Sequence, residues 1–145
     1  MGDAKVIDNW DAQLSGPVIL YDGFCNLCNS SVAFVLRHDA EARFKFLALQ
    51  SEKADCLRRD CDHSLSLDET FILIDRGFCY TRSDAVLKVL GLLPGFWPIL
   101  SWLRLIPKFI RDRVYTLIAR NRFNWFGRRD TCMLSLDGYQ NRFLD

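Results

Sequence analysis

Four prolines, two histidines and two methionines are few for a chain of 145 residues, and each scarcity removes a class of reading. His38 and His63 stand in no serine or cysteine pattern that would make a nucleophile–base pair. No apolar run approaches the roughly 20 residues of a membrane span. The strongest candidate, residues 92–106, is cut by Pro94 and Pro98, contains Arg104 and ends at Pro107. No internal repeat or low-complexity stretch is visible. The first sixteen residues hold Asp3, Asp8 and Asp11 and no apolar run, so they lack the composition of a secretory signal. Val6 stands where myristoylation wants Ser or Thr. Residues 1–16 are therefore expected to be a flexible leader, and the protein is expected in the cytoplasm. Structural disulfides are rare in that compartment, so the six cysteines need another explanation.

Hydrophobic residues make up 50% of the chain and charged residues 26%. A chain of this size buries about 70% of its unfolded surface, so one globular domain is expected over residues 17–145. Net charge is +1 but unevenly spread. Residues 96–129 hold eight basic side chains against one acidic residue, Asp112, a local net of +7 that leaves −6 for the rest. Such asymmetry points to an acidic partner, nucleic acid or an anionic membrane surface, or else to a solvated helix face.

Pro17-Val-Ile-Leu-Tyr21 reads as a strand buried on both faces. Residues 26–37 carry Leu27, Val32, Val35 and Leu36 at helical spacing, and residues 44–49 form a second strand. This β-α-β unit has the ~30-residue size of a parallel crossover. A polar stretch follows, with a short helix over 52–59. Residues 70–75 and 78–81 are strands joined only by Arg76-Gly77, which predicts an antiparallel hairpin. Ser83 is the expected N-cap of a helix over 84–90, with Asp84 in the first turn and Gly91 as its stop. The order β-α-β, hairpin, helix is the minimal thioredoxin-like arrangement, an α/β fold. Residues 92–145 add a helical C-terminal extension, including a basic helix over 108–122 striped by Phe109, Ile110, Val114, Leu117 and Ile118. The apolar residues of 96–106 are expected to cover the sheet face that the crossover and closing helices leave open.

Asp22-Gly-Phe-Cys25-Asn-Leu-Cys28 lies where the first strand meets its helix. Cysteines three apart at a helix start bring both sulfurs within bonding distance. Free backbone N–H groups and the positive end of the helix dipole stabilise a thiolate there. Such motifs lower the first thiol to roughly 3.5–7.5, which is the requirement for thiol–disulfide exchange. Cys25 is thus the expected nucleophile, the more exposed and more acidic of the two, and Cys28 the resolving thiol. The alternative is a structural zinc site on Cys25, Cys28, Cys56 and Cys61, with His63 nearby. Asp22, three residues before Cys25, is a candidate proton acceptor for Cys28, or a simple acceptor for loop N–H groups. Cys79 reads as a small core residue.

Asp22-x-x-Cys25-x-x-Cys28 after an apolar strand resembles the DCC family of thiol–disulfide oxidoreductases. Ser83-Asp84-Ala85 matches too, as does Arg120-Asn-Arg122-Phe123 through Phe126-Gly127 to Cys132. The resemblance spans roughly residues 17–132. It implies a thioredoxin-like fold and disulfide exchange at Cys25 and Cys28, with no cofactor beyond the dithiol. Cys132 is a candidate third thiol. Thioredoxins proper place a cis-proline opposite the dithiol, whereas residues 65–70 contain no proline; Glu69 or Thr70 is the expected substitute. The implied partner is a protein or small molecule bearing a thiol or disulfide. Nucleic acid is the less favoured partner, and peripheral membrane contact through the basic half is the rival reading.

Overall fold

The computed structural model describes residues 5–6, 16–40, 42–49, 51–52, 54, 57, 71–75, 78–95, 97–127 and 142–143. The elements are β1 (Lys5–Val6), β2 (Val18–Tyr21), α1 (Asn26–His38), β3 (Lys45–Ala48), β4 (Phe71–Asp75), β5 (Phe78–Thr81), α2 (Arg82–Leu92), a 3-10 segment (Trp97–Leu105) and α3 (Lys108–Phe126). The sheet order is β1-β5-β4-β2-β3. Parallel β2 and β3 match Val18 to Lys45. Strand β4 runs antiparallel to β2, and β5 antiparallel to β4. This is the mixed α/β, thioredoxin-like topology with C-terminal helices that the element order implied. Lys5–Val6, within the expected leader, adds an antiparallel edge strand to β5. The Arg76-Gly77 connection lies outside the described residues.

All four residues of β2 are buried, because its alternating side chains fill two cores. Ile19, Tyr21, Phe46 and Leu73 face Val32, Val35 and Leu36 of α1 and Ala85 and Val89 of α2. Both helices therefore lie on one face, as expected. Val18, Leu20, Leu47, Ile72 and Ile74 form the other core. What covers that second face differs from the sequence expectation. Ala54 and Leu57, in the polar stretch after β3, pack there, while Ile99, Trp102 and Leu105 stay exposed. The reason is connectivity: the 3-10 segment follows α2 directly and packs back on it, on the helical side of the sheet. The stripe of α3 is likewise exposed, with only Ala119 of that helix buried.

Helix α2 also corrects two expectations. It starts earlier, with Thr81 at the N-cap and no side-chain capping bond. Ser83 is drawn instead into contacts with α3, donating to Asp112 Oδ1 at 2.5 Å and accepting from Arg111 Nη1 at 3.1 Å. Gly91 lies inside the helix, and the space beside it is taken by Ser101, 3.6 Å from where a Cβ would sit. The helix ends just before Pro94, whose ring disfavours a helical residue ahead of it.

At the chain's far end, Arg142 forms a buried ion pair with Asp39 and donates from Nε to the Phe44 carbonyl at 3.0 Å. Phe143 bridges to Phe46 alongside β3 and meets the Tyr21 ring edge-on at 6.2 Å.

Candidate active site

Helix α1 begins with a thiol doing the work of a capping oxygen. Cys25 is the N-cap residue, with extended backbone angles, and its Sγ accepts the Cys28 N–H at 3.4 Å. An N-cap side chain ordinarily takes an orphan N–H of the first turn. A sulfur placed there becomes a stabilised anion. Its pKa is lowered from 9.0 to about 6. The hydrogen bond from the Cys28 thiol is the largest cause; the N–H groups of Cys28 and Leu27 and the Arg122 charge add to it, and burial opposes them. The Cys28 thiol is driven strongly upward by its bond to Cys25, by burial and by the negative charges of Cys25 and Asp22. One thiol is thus an anion near neutral pH and the other is held protonated. Neither is disulfide-bonded.

The expectation that Cys25 is the more exposed thiol is not met. Cys25 is 0% exposed and Cys28 5%. The capping geometry explains this, since the sulfur turns back onto the helix start and joins the core cluster beside Tyr21 and Phe71. Cys28, one turn on, lines a cavity of about 670 Å³ between the helices. Its walls are almost wholly apolar, with Phe34, Val86, Leu90, Ile110 and Val114 among them and Arg122 beside Cys28.

Asp22 ends β2 and is 8% exposed. Its Oδ1 accepts the Phe24 N–H at 3.0 Å, and its carbonyl accepts the Cys25 N–H at 3.2 Å, so the loop that opens the helix is built on it. Its carboxylate also lies 3.5 Å from Arg122 Nη2. In the sequence Arg122 stands only among the basic residues and in a family-like motif, with nothing that places it at the site. Arg122 is largely buried, and its Nε has no hydrogen-bond partner.

Two further residues hold this arrangement together. Asn26 donates from Nδ2 to the Phe126 carbonyl at 2.9 Å, and its backbone N–H reaches the Gly127 carbonyl at 3.4 Å. The end of α3 is thereby pinned to the start of α1. Gly127 has φ +86° and ψ 170°, a region essentially confined to glycine, and a Cβ would come within 2.9 Å of Asn26 Nδ2. Asn29 donates to the Gly23 carbonyl at 2.9 Å, and its Oδ1 is buried without a partner. The only sequence signal for Asn26, Arg122 and Gly127 was their place in or beside the matching motifs.

Cys79 is buried in the second core, as expected, but it is disulfide-bonded rather than a free thiol. Pairing of cysteines distant in sequence depends on Cα separations that only the fold sets. Its partner lies outside the described residues, as do Cys56, Cys61, His63, Glu69, Thr70 and Cys132. Among the described residues no group of three His, Cys, Asp or Glu is placed to hold a metal ion. His38 packs on Phe34 and Trp97 at 4.3 and 5.1 Å.

Fold and site together define a thioredoxin-like domain with a Cys-x-x-Cys pair at a helix N-terminus. The family model for DCC1-like thiol-disulfide oxidoreductases matches residues 19–128, and the chain belongs to that family. It is 38% identical over 132 residues to the uncharacterized protein YuxK of Bacillus subtilis, covering 91% of this chain and 96% of that protein. It is also 38% identical to the DCC family protein At1g52590, chloroplastic, of Arabidopsis thaliana, covering 81% of this chain and 69% of that protein. No solved structure matches. No helix among the described residues is long and apolar enough to cross a membrane.

Proposed function

We propose that the protein is a thiol–disulfide oxidoreductase in which Cys25 attacks and Cys28 resolves. The supporting observation is the split between the two sulfurs: Cys25 caps α1 as a stabilised thiolate, while Cys28 is held protonated against it. In the reducing direction, the Cys25 thiolate attacks one sulfur of a substrate disulfide and expels the other as a thiolate. Cys28 then loses its proton and attacks the Cys25 sulfur, releasing the second substrate thiolate and leaving the Cys25–Cys28 disulfide. Two electrons pass from the dithiol to the substrate. The reverse sequence oxidises a substrate dithiol. Because Cys25 is fully buried in this state, attack follows a local opening around it. The cycle needs no cofactor, and two electrons from a thiol reductant would return the pair to the dithiol.

Asp22 is the proton acceptor in this reading. Its negative charge is one of the influences that raise Cys28, and that influence eases once Cys28 hands over its proton. Arg122, paired to Asp22, then faces the negative charge that proton loss leaves on the Cys28 sulfur.

The test is rapid-mixing kinetics with a small aromatic disulfide. Cys28→Ser is expected to stall as a mixed disulfide, with the adduct mapped to Cys25. Asp22→Asn keeps an acceptor for Phe24 and is expected to slow resolution by about 10²–10⁴-fold, the usual range for a general base. An adduct mapped to Cys28 would reverse the two roles. Unchanged resolution in Asp22→Asn would reduce Asp22 to a structural cap.

A further inference from the structure

The 3-10 segment is rich in large apolar side chains, yet none of its residues is buried. With three residues per turn, side chains at i and i+3 stack in rows. The row that starts at Trp97 leans inward: Trp97 meets the Phe34 ring at 4.8 Å, and Leu103 lines the cavity. The neighbouring row, Ile99, Trp102 and Leu105, is 67%, 68% and 78% exposed. Phe109, in the first turn of α3, is 66% exposed. A contiguous row of this kind on a water-soluble domain marks an interaction surface.

We propose that this row seats the protein on an anionic bilayer surface. Charge selects that occupant over others. Arg104, Arg113 and Arg120 are exposed on the same two elements. The single acidic residue of residues 96–129, Asp112, is engaged by Ser83 and lies 4.0 Å from Lys108. A second copy docked through this face would bring like charges together, whereas acidic headgroups neutralise them. Tryptophan beside arginine suits the boundary between acyl chains and headgroups, where the ring is half solvated. The mode is in-plane seating: nine residues of 3-10 helix extend only about 18 Å, short of the ~30 Å hydrocarbon core. Leu103 and Ile106 tie this surface to the cavity that reaches Cys28, so the docked face continues into the redox site.

The experiment is co-sedimentation of the full chain with phosphatidylcholine vesicles, with and without phosphatidylserine. Binding is expected only when phosphatidylserine is present, and it should weaken as salt is added. Trp102→Ser/Leu105→Ser should abolish it while leaving the melting temperature and dithiol reactivity unchanged, since both side chains are exposed. Arg104→Gln/Arg113→Gln should weaken it by roughly fivefold for each charge removed. Absence of binding to phosphatidylserine vesicles would overturn the proposal, as would undiminished binding of the Trp102→Ser/Leu105→Ser variant. A concentration-dependent dimer lost in that variant, without vesicle binding, would assign the face to a second copy instead.

Discussion

At the scale of single residues, the site depends on one substitution of roles: a cysteine occupies a position where helices usually place an oxygen. Cys25 titrates at about 6 when folded, against 9.0 ordinarily. Between those values the unfolded chain binds more protons, so the reduced form gains stability as pH rises through this window and loses the contribution below about 6. Cys28 acts oppositely. Its folded pKa is raised, so above the ordinary thiol value the unfolded state ionises while the folded one does not, and stability falls. The melting temperature of the reduced protein, measured relative to Cys25→Ser, is expected to climb from pH 6 to 8. A flat difference would show that no thiolate is stabilised at Cys25.

At the scale of elements, the site is made where three of them meet: the end of β2, the start of α1 and the end of α3. The first two were legible in the sequence, because a strand, a loop and a helix that are contiguous reveal themselves through local pattern and spacing. The third was not. Asp22 and Arg122 lie a hundred positions apart, and nothing near Arg122 distinguishes it from its neighbour Arg120. What brings α3 into place is the contact with α2. Asp84 holds Lys108 Nζ at 2.8 Å and Arg111 Nη1 at 3.1 Å, while Ser83 engages Arg111 and Asp112. Ser83 has the propensity of a cap, but tertiary partners take its hydroxyl. Asp84→Ala is expected to lower stability by about 1–2 kcal/mol, given that the pair is part-buried. It should also raise the Cys25 pKa, because Arg122 is held less firmly. Thermal melts and thiol titration on the same sample check both effects. Lost stability with an unmoved pKa would uncouple α2 from the site.

At the scale of the whole molecule, the C-terminal half was expected to shield the open face of the sheet. It instead stacks against the helical face, leaving a row of large apolar side chains in contact with water. The apolar content of residues 96–106 and the stripe of the following helix are visible in the sequence, but neither composition nor periodicity states which surface such side chains meet. The chain's end does enter the core. Phe143 is 7% exposed and packs on Tyr21 and Phe46. Phe143→Ala is expected to cost about 3–5 kcal/mol, a large share of the roughly 5–15 kcal/mol that holds a domain folded. Urea unfolding measures it, and a cost below about 1 kcal/mol would place the tail outside the cooperative unit.

The most direct test is alkylation of the two site thiols as a function of pH, resolved by peptide mapping of the reduced protein. Cys25 is expected to reach half its maximal rate near pH 6, with Cys28 unreactive throughout the neutral range. Cys28→Ala, which removes the largest cause of the shift, should move the Cys25 midpoint upward by more than Arg122→Ala does, since the Arg122 charge is the smallest of the named causes. Faster labelling of Cys28 at neutral pH, or a Cys25 midpoint near the ordinary thiol value, would contradict the assignment of Cys25 as the attacking thiolate.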